Sequence, residues 1–151
     1  MLDPIALLAS EVPPGKPPLA KELPGPSDGR SRIRVLVVDD EILIAETLAE
    51  ILNQNGFEAR IATSAEEAMR LAIRTCPDVV LSDVVMPRVS GVELGIQIRK
   101  ELPATRVVLI SGQSSTSDLL RRGADSGHTF ELLPKPIHPE DLIARLKGHR
   151  R

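Results

Sequence analysis

Four short aliphatic runs in this chain each end on a polar residue, and that repetition narrows the folds open to it. They are Val35-Leu36-Val37-Val38 before Asp39-Asp40, Val79-Val80-Leu81 before Ser82-Asp83, Val107-Val108-Leu109-Ile110 before Ser111, and Leu132-Leu133-Pro134 before Lys135. An unbroken aliphatic run of strand length suits a strand buried on both faces, as in a parallel sheet covered by helices. Side by side, these strands would gather three carboxylates, a hydroxyl and an ammonium at one rim. Carboxylates crowded together repel, and they stay ionised only with a cation among them. Oxygen donors of this kind suit a hard, octahedral ion such as Mg²⁺. An ammonium and a hydroxyl aimed at the same place suit an incoming phosphoryl group, so the rim reads as a site for moving phosphate onto an aspartate.

The segments between the runs read as helices. Ile33–Val38 is the first predicted strand. Asp40–Asn55 follows as an amphipathic helix carrying Ile42, Leu43, Ile44, Ala45, Leu48, Ile51 and Leu52, with Asn55-Gly56 as its stop. Phe57–Ala62 is the second strand. Ser64-Ala65-Glu66-Glu67 resembles an N-cap box opening a helix that runs to about Thr75. Asp78–Ser82, Arg106–Ile110 and Thr129–Leu133 complete the strands. The remaining helices span about Ser90–Glu101, Ser115–Arg122 and Pro139–Gly148. This alternation predicts an α/β fold: a doubly wound, five-stranded parallel sheet of flavodoxin-like order 2-1-3-4-5 with helices on both faces. In that order the switch point lies between strands 1 and 3, which end in Asp39-Asp40 and Asp83. Topology and side-chain chemistry therefore point to one crevice.

Seven of the thirteen prolines fall in the first thirty residues. Residues 1–31 read as a Pro-rich, disordered tail with a short apolar turn around Pro4–Ser10, and 32–151 as one domain. A net charge of −2 argues against a dedicated nucleic-acid binder. With no Trp or Tyr and two Phe, the chain lacks stacking platforms for single strands or sugars. Cys76 is the one cysteine, expected to be a half-buried thiol at a helix end, and it implies no oxidising compartment. No signal peptide or membrane span is evident, so a cytoplasmic protein is expected.

From Arg32 onward the chain resembles the receiver domain of bacterial two-component response regulators. The matching motifs are Val37-Val38-Asp39-Asp40-Glu41, Ser82-Asp83-Val84-Val85-Met86-Pro87 with Gly91, Ile110-Ser111-Gly112, and Lys135-Pro136. The resemblance implies that Asp83 takes a phosphoryl group from a phosphohistidine on a sensor histidine kinase or a histidine phosphotransfer protein. It implies that Asp40, Asp83 and the backbone carbonyl of Val85 bind Mg²⁺, with Asp39 holding the ion directly or through water. Lys135 would pair with Asp83 and then with the phosphoryl oxygens, Ser111 would hydrogen-bond the phosphoryl group, and the Lys135-Pro136 bond would be cis. Such chemistry needs mostly positioning and charge neutralisation.

The chain departs from the family at position 132, where many members carry an aromatic residue and this one has Leu132. Phe130 lies two residues earlier, on the same side of an extended strand. The segment Asp125-Ser126-Gly127-His128 lengthens the connection to the last strand. Val85 cannot orient an attacking water, whereas Gln113 has the group to do so. His128, His138 and His149 have no ligand spacing, and Arg121-Arg122 and Arg150-Arg151 read as cations near helix ends. The expected function is a stand-alone receiver that catalyses only its own phosphorylation and dephosphorylation, is not otherwise an enzyme, and signals to an unknown protein target. The alternative is a phosphorylation-independent binding module. A small Mg²⁺-dependent phosphohydrolase fits less well, because no second acid stands two residues after Asp83.

Overall fold

The computed structural model describes residues 32–112 and 116–148, without the side chains of Thr116 and Ser117. The tail, Gln113, Ser115, His149 and Arg150-Arg151 lie outside the described residues. In chain order the elements are β1 (Ile33–Val38), α1 (Ile42–Gln54), β2 (Phe57–Ala62), α2 (Ala65–Thr75), β3 (Val79–Asp83), α3 (Gly91–Glu101), β4 (Arg106–Ser111), α4 (Thr116–Asp125), β5 (Glu131–Pro134) and α5 (Pro139–Lys147). The strands form one sheet in the order β2-β1-β3-β4-β5, every pair parallel, as the alternation predicts.

Alternate residues of the aliphatic runs feed two cores. Val35, Val37, Val79, Leu81, Val108, Ile110 and Leu133 face α1 and α5, where Ala45, Leu48, Leu52, Leu142 and Leu146 close the layer. Leu36, Val38, Val80, Val107 and Leu109 face α2 and α3, meeting Ala68, Ala72, Val92, Leu94 and Ile98. Each Val, Leu or Ile among them, fully buried, contributes about 1.5–3 kcal/mol of transfer free energy. No strand in the middle of the sheet could spare a face for water, which is why the runs do not alternate with polar residues.

Several local expectations are corrected. Helix α1 begins at Ile42, not Asp40; its N-cap is Glu41, whose amide donates to Asp39 Oδ1 at 2.9 Å. The stripe of α1 is Ala45, Leu48, Ala49 and Leu52, and the first-turn residues Ile42, Leu43 and Ile44 are exposed. Ser64 accepts from Glu67 N, but the Glu67 carboxylate turns to Thr63 N instead of closing the box. The complete box is at α3, between Ser90 and Glu93. Cys76 ends α2 with φ +48 and is exposed rather than half-buried. Helix α4 runs on to Asp125, absorbing the first residue of the longer connection.

Phe130 precedes β5 and packs into the α2–α3–α4 core, its ring covered by the Arg99 guanidinium 4.0 Å from the centroid. It fits because position 95 is glycine: a Cβ there would come within 2.7 Å of Phe130 Cε1. Leu132 is 39% exposed.

Candidate functional site

Two strands, β1 and β3, deliver the acidic groups to one end of the sheet. β1 and β3 pair with Val38 opposite Ser82, so Asp39 leaves β1 beside Asp83, the last residue of β3. Asp39, Asp40 and Asp83 each offer a carboxylate oxygen within 4.8 Å of the others. Asp39 and Asp83 are buried and Asp40 is exposed. Burial pushes the Asp39 carboxyl above its usual range; the bond from the Glu41 amide opposes this, and the Asp83 and Asp40 carboxylates add to the rise. Like charges about 4 Å apart near a protein surface repel by several kcal/mol.

Asp39 Oδ2 is buried and has no hydrogen-bond partner. A buried carboxylate oxygen left without a donor is costly, and a cation is the group that would satisfy it beside two further carboxylates. The residues therefore fit a hard divalent ion: all donors are oxygens, and they converge.

Opposite the triad, Lys135 Nζ lies 3.3 Å from Asp83 Oδ2. The Asp83 side chain is 13% exposed and that of Lys135 35%, so the pair is partly shielded from solvent. Lys135 is held at its root by a hydrogen bond from its amide to the Ser111 carbonyl, 3.0 Å, and the Lys135–Pro136 bond is cis. Ser111 ends β4, one residue beyond Ile110, the register partner of Asp83. The Val85 amide donates to Asp83 Oδ1 at 3.4 Å, while the Val85 side chain points into solvent.

The loop between Asp83 and α3 depends on a residue whose role the motif alone did not reveal. Gly91 N donates to Val84 O at 2.8 Å, and a Cβ on Gly91 would lie 2.1 Å from Asp83 O. Bare backbone at 91 lets α3 close against the Asp83 carbonyl. The exposed Ile42, Leu43 and Ile44 were likewise legible only as a helix face, although they follow Asp40-Glu41 directly at the site.

The family described as the response regulator receiver domain matches residues 35–147. Response regulator MprA from Mycobacterium sp. (strain KMS) is 35% identical over 116 residues, covering 77% of this chain and 50% of the relative. The protein of the same name from Mycobacterium leprae (strain TN) is 33% identical over 116 residues. The chain spans about half the length of the curated relatives it matches. Among solved structures, a response regulator receiver domain protein from Clostridium thermocellum is similar with a TM-score of 0.69 and 31% identity, over 76% of this chain and 91% of that one. The chemotaxis protein CheY4 of Vibrio cholerae is similar with a TM-score of 0.67 and 27% identity, over 78% of this chain and 98% of that one.

Proposed function

The chain belongs to the response regulator receiver domain family, and on that premise we propose that Asp83 accepts a phosphoryl group from a phosphohistidine. The donor would be a sensor histidine kinase or a histidine phosphotransfer protein. The observation that carries this reading is the Lys135–Asp83 pair at 3.3 Å beside the convergent aspartates.

Domains of this family hold Mg²⁺ in an acidic pocket. Here Asp39, Asp40 and Asp83 would hold it through carboxylate oxygens and Val85 through its carbonyl. Bound there, the ion neutralises charge on the phosphoryl oxygens. In the transfer, the N–P bond of the phosphohistidine breaks as an O–P bond to Asp83 forms, and the departing imidazole nitrogen takes up a proton. Lys135 pairs with Asp83 beforehand and then turns its ammonium to the arriving oxygens, and the Ser111 hydroxyl donates to one of them. Positioning and charge do most of the work in such a step. Val85 brings no polar group to activate water against the acyl phosphate.

The partner surface follows from exposure. Four of the six exposed large hydrophobic residues among those described, Ile42, Leu43, Ile44 and Val85, lie within four positions of an aspartate of the triad. A donor protein docking there would bury them while aiming its phosphohistidine at Asp83. The output is contact with a downstream protein, with no external substrate turned over and no direct contact with nucleic acid. No helix among the described residues is long and apolar enough to cross a membrane; the cytoplasm is the compartment we propose for the transfer.

The test is intact mass after incubation with Mg²⁺ and a small acyl phosphate. Wild type should gain one phosphoryl group; Asp83→Asn, or wild type in EDTA, should gain none. No gain from that donor or from a phosphohistidine protein would sink the proposal in favour of a phosphorylation-independent binding module.

A further inference from the structure

Gly112 has no conformational reason to be glycine. The described glycines with positive φ are Gly56 and Gly127, and Gly112 is not among them. Its surroundings supply a different reason. A Cβ built on Gly112 would lie 2.7 Å from Lys135 Cβ, 2.8 Å from Cδ and 3.0 Å from Cγ. Non-bonded carbons rest about 3.5–4.0 Å apart, so the lysine stem lies flat against bare backbone for three carbons before its ammonium reaches Asp83.

The crowding falls at the root of the side chain, where it is hardest to relieve. Lys135 N is bonded to Ser111 O, and Ser111 pairs with Pro134 across the β4–β5 ladder. Swinging the ammonium would not clear Cβ and Cγ; the stem would have to leave its track. A free lysine is a flexible four-carbon chain that loses much rotamer freedom when fixed.

We propose that Gly112 is a positioning residue that steers the Lys135 ammonium onto Asp83, an inference resting on the reading of Asp83 as phosphoacceptor. Side chains at 112 act through Lys135 and not through the metal-binding aspartates. The competing explanation is that any bulk at this exposed position merely obstructs the incoming donor.

The variants Gly112→Ala and Gly112→Val, each alone and combined with Lys135→Ala, separate the two. With Mg²⁺ and a small acyl phosphate, Gly112→Ala should lower the phosphorylation rate about tenfold, and Gly112→Val further, with Mg²⁺ affinity unchanged. In the Lys135→Ala background neither substitution should slow the reaction further, because residues that act as a unit are not additive. A second readout needs no phosphorylation. The ε-carbon NMR resonance of Lys135 should move on Asp83→Asn in the wild-type background, and that movement should shrink in Gly112→Ala. A loss that persists in full without Lys135, or an undiminished Asp83-dependent resonance shift in a folded Gly112→Ala protein, would overturn the proposal. If wild type takes no phosphoryl group at all, the functional reading fails while the resonance experiment still decides the role of Gly112.

Discussion

Gly91→Ala is the most demanding test of how this site is built. The new methyl carbon would sit 2.1 Å from Asp83 O and 3.0 Å from both Asp83 C and Val84 Cα. All three are backbone atoms, so no side chain can swing aside. A carbon and a carbonyl oxygen need more than 3 Å between them, and the segments must separate by roughly 1 Å. That motion strains the Gly91 N–Val84 O bond of 2.8 Å and the start of α3. Overpacking of this kind costs about 1–3 kcal/mol. For a domain of this size each kcal/mol lowers Tm by about 4 °C, so a fall of roughly 4–12 °C is expected by far-UV circular dichroism. The same displacement moves the backbone that carries Asp83, and misplacement by about 1 Å can cost on the order of 100-fold in rate. Phosphorylation at a temperature where the variant is fully folded should therefore fall by more than the stability loss alone explains. Gly56→Ala is the control: its Cβ would meet nothing within 4 Å, its φ is +92, and it should lose stability without losing rate. A Gly91→Ala protein within 2 °C of wild type and phosphorylated normally would refute the packing argument.

Two further outcomes follow from the same geometry. Asp39→Asn removes a buried, partnerless carboxylate oxygen from between Asp83 and Asp40, so it should raise the metal-free Tm by a few degrees and abolish stabilisation by added Mg²⁺, read by thermal unfolding with and without EDTA. Gly95→Ala drives a methyl to within 2.7 Å of Phe130 Cε1 and should cost about 1–3 kcal/mol; Phe130→Leu in the same chain should recover part of that loss, which urea unfolding of the two single variants and the double would measure.

How much of this was legible in the sequence depended on the range of the interactions. Strands were legible because burial on both faces leaves a local signature: β1, β2, β3 and β4 matched to within a residue, while β5 starts at Glu131 and not at Thr129. The chemistry was legible because parallel strands carry their C-terminal residues to one edge, so four strand ends sufficed to bring Asp39, Asp40, Asp83, Ser111 and Lys135 to one end of the sheet. Helix ends were less legible. Ser64 and Glu67 have the spacing of a box, yet the Glu67 carboxylate finds a nearer donor in Thr63, whereas the box that closes is opened by Ser90 before a glycine, a weak helix signal. Cys76 looked half-buried because it sits at a helix end just before Pro77, but it caps α2 in the left-handed region and is exposed.

The parity rule for Phe130 and Leu132 shows where local reading stops. Period-two alternation assumes that both lie in one strand, whereas β5 begins at Glu131 and leaves Phe130 just before it, and alternation says nothing about what waits for either side chain. What waits for the ring is the bare backbone of Gly95, thirty-five positions earlier, and the guanidinium of Arg99; what waits for Leu132 is solvent. Gly91 beneath the Asp83 carbonyl and Gly112 beneath the Lys135 stem follow the same logic. Each is an absence of side chain whose meaning lies entirely in the residue that fills the space, and a sequence records the absence without recording the neighbour. In this domain the reactive groups announce themselves by type and order, while the residues that hold them within reach of one another do so by having nothing to show.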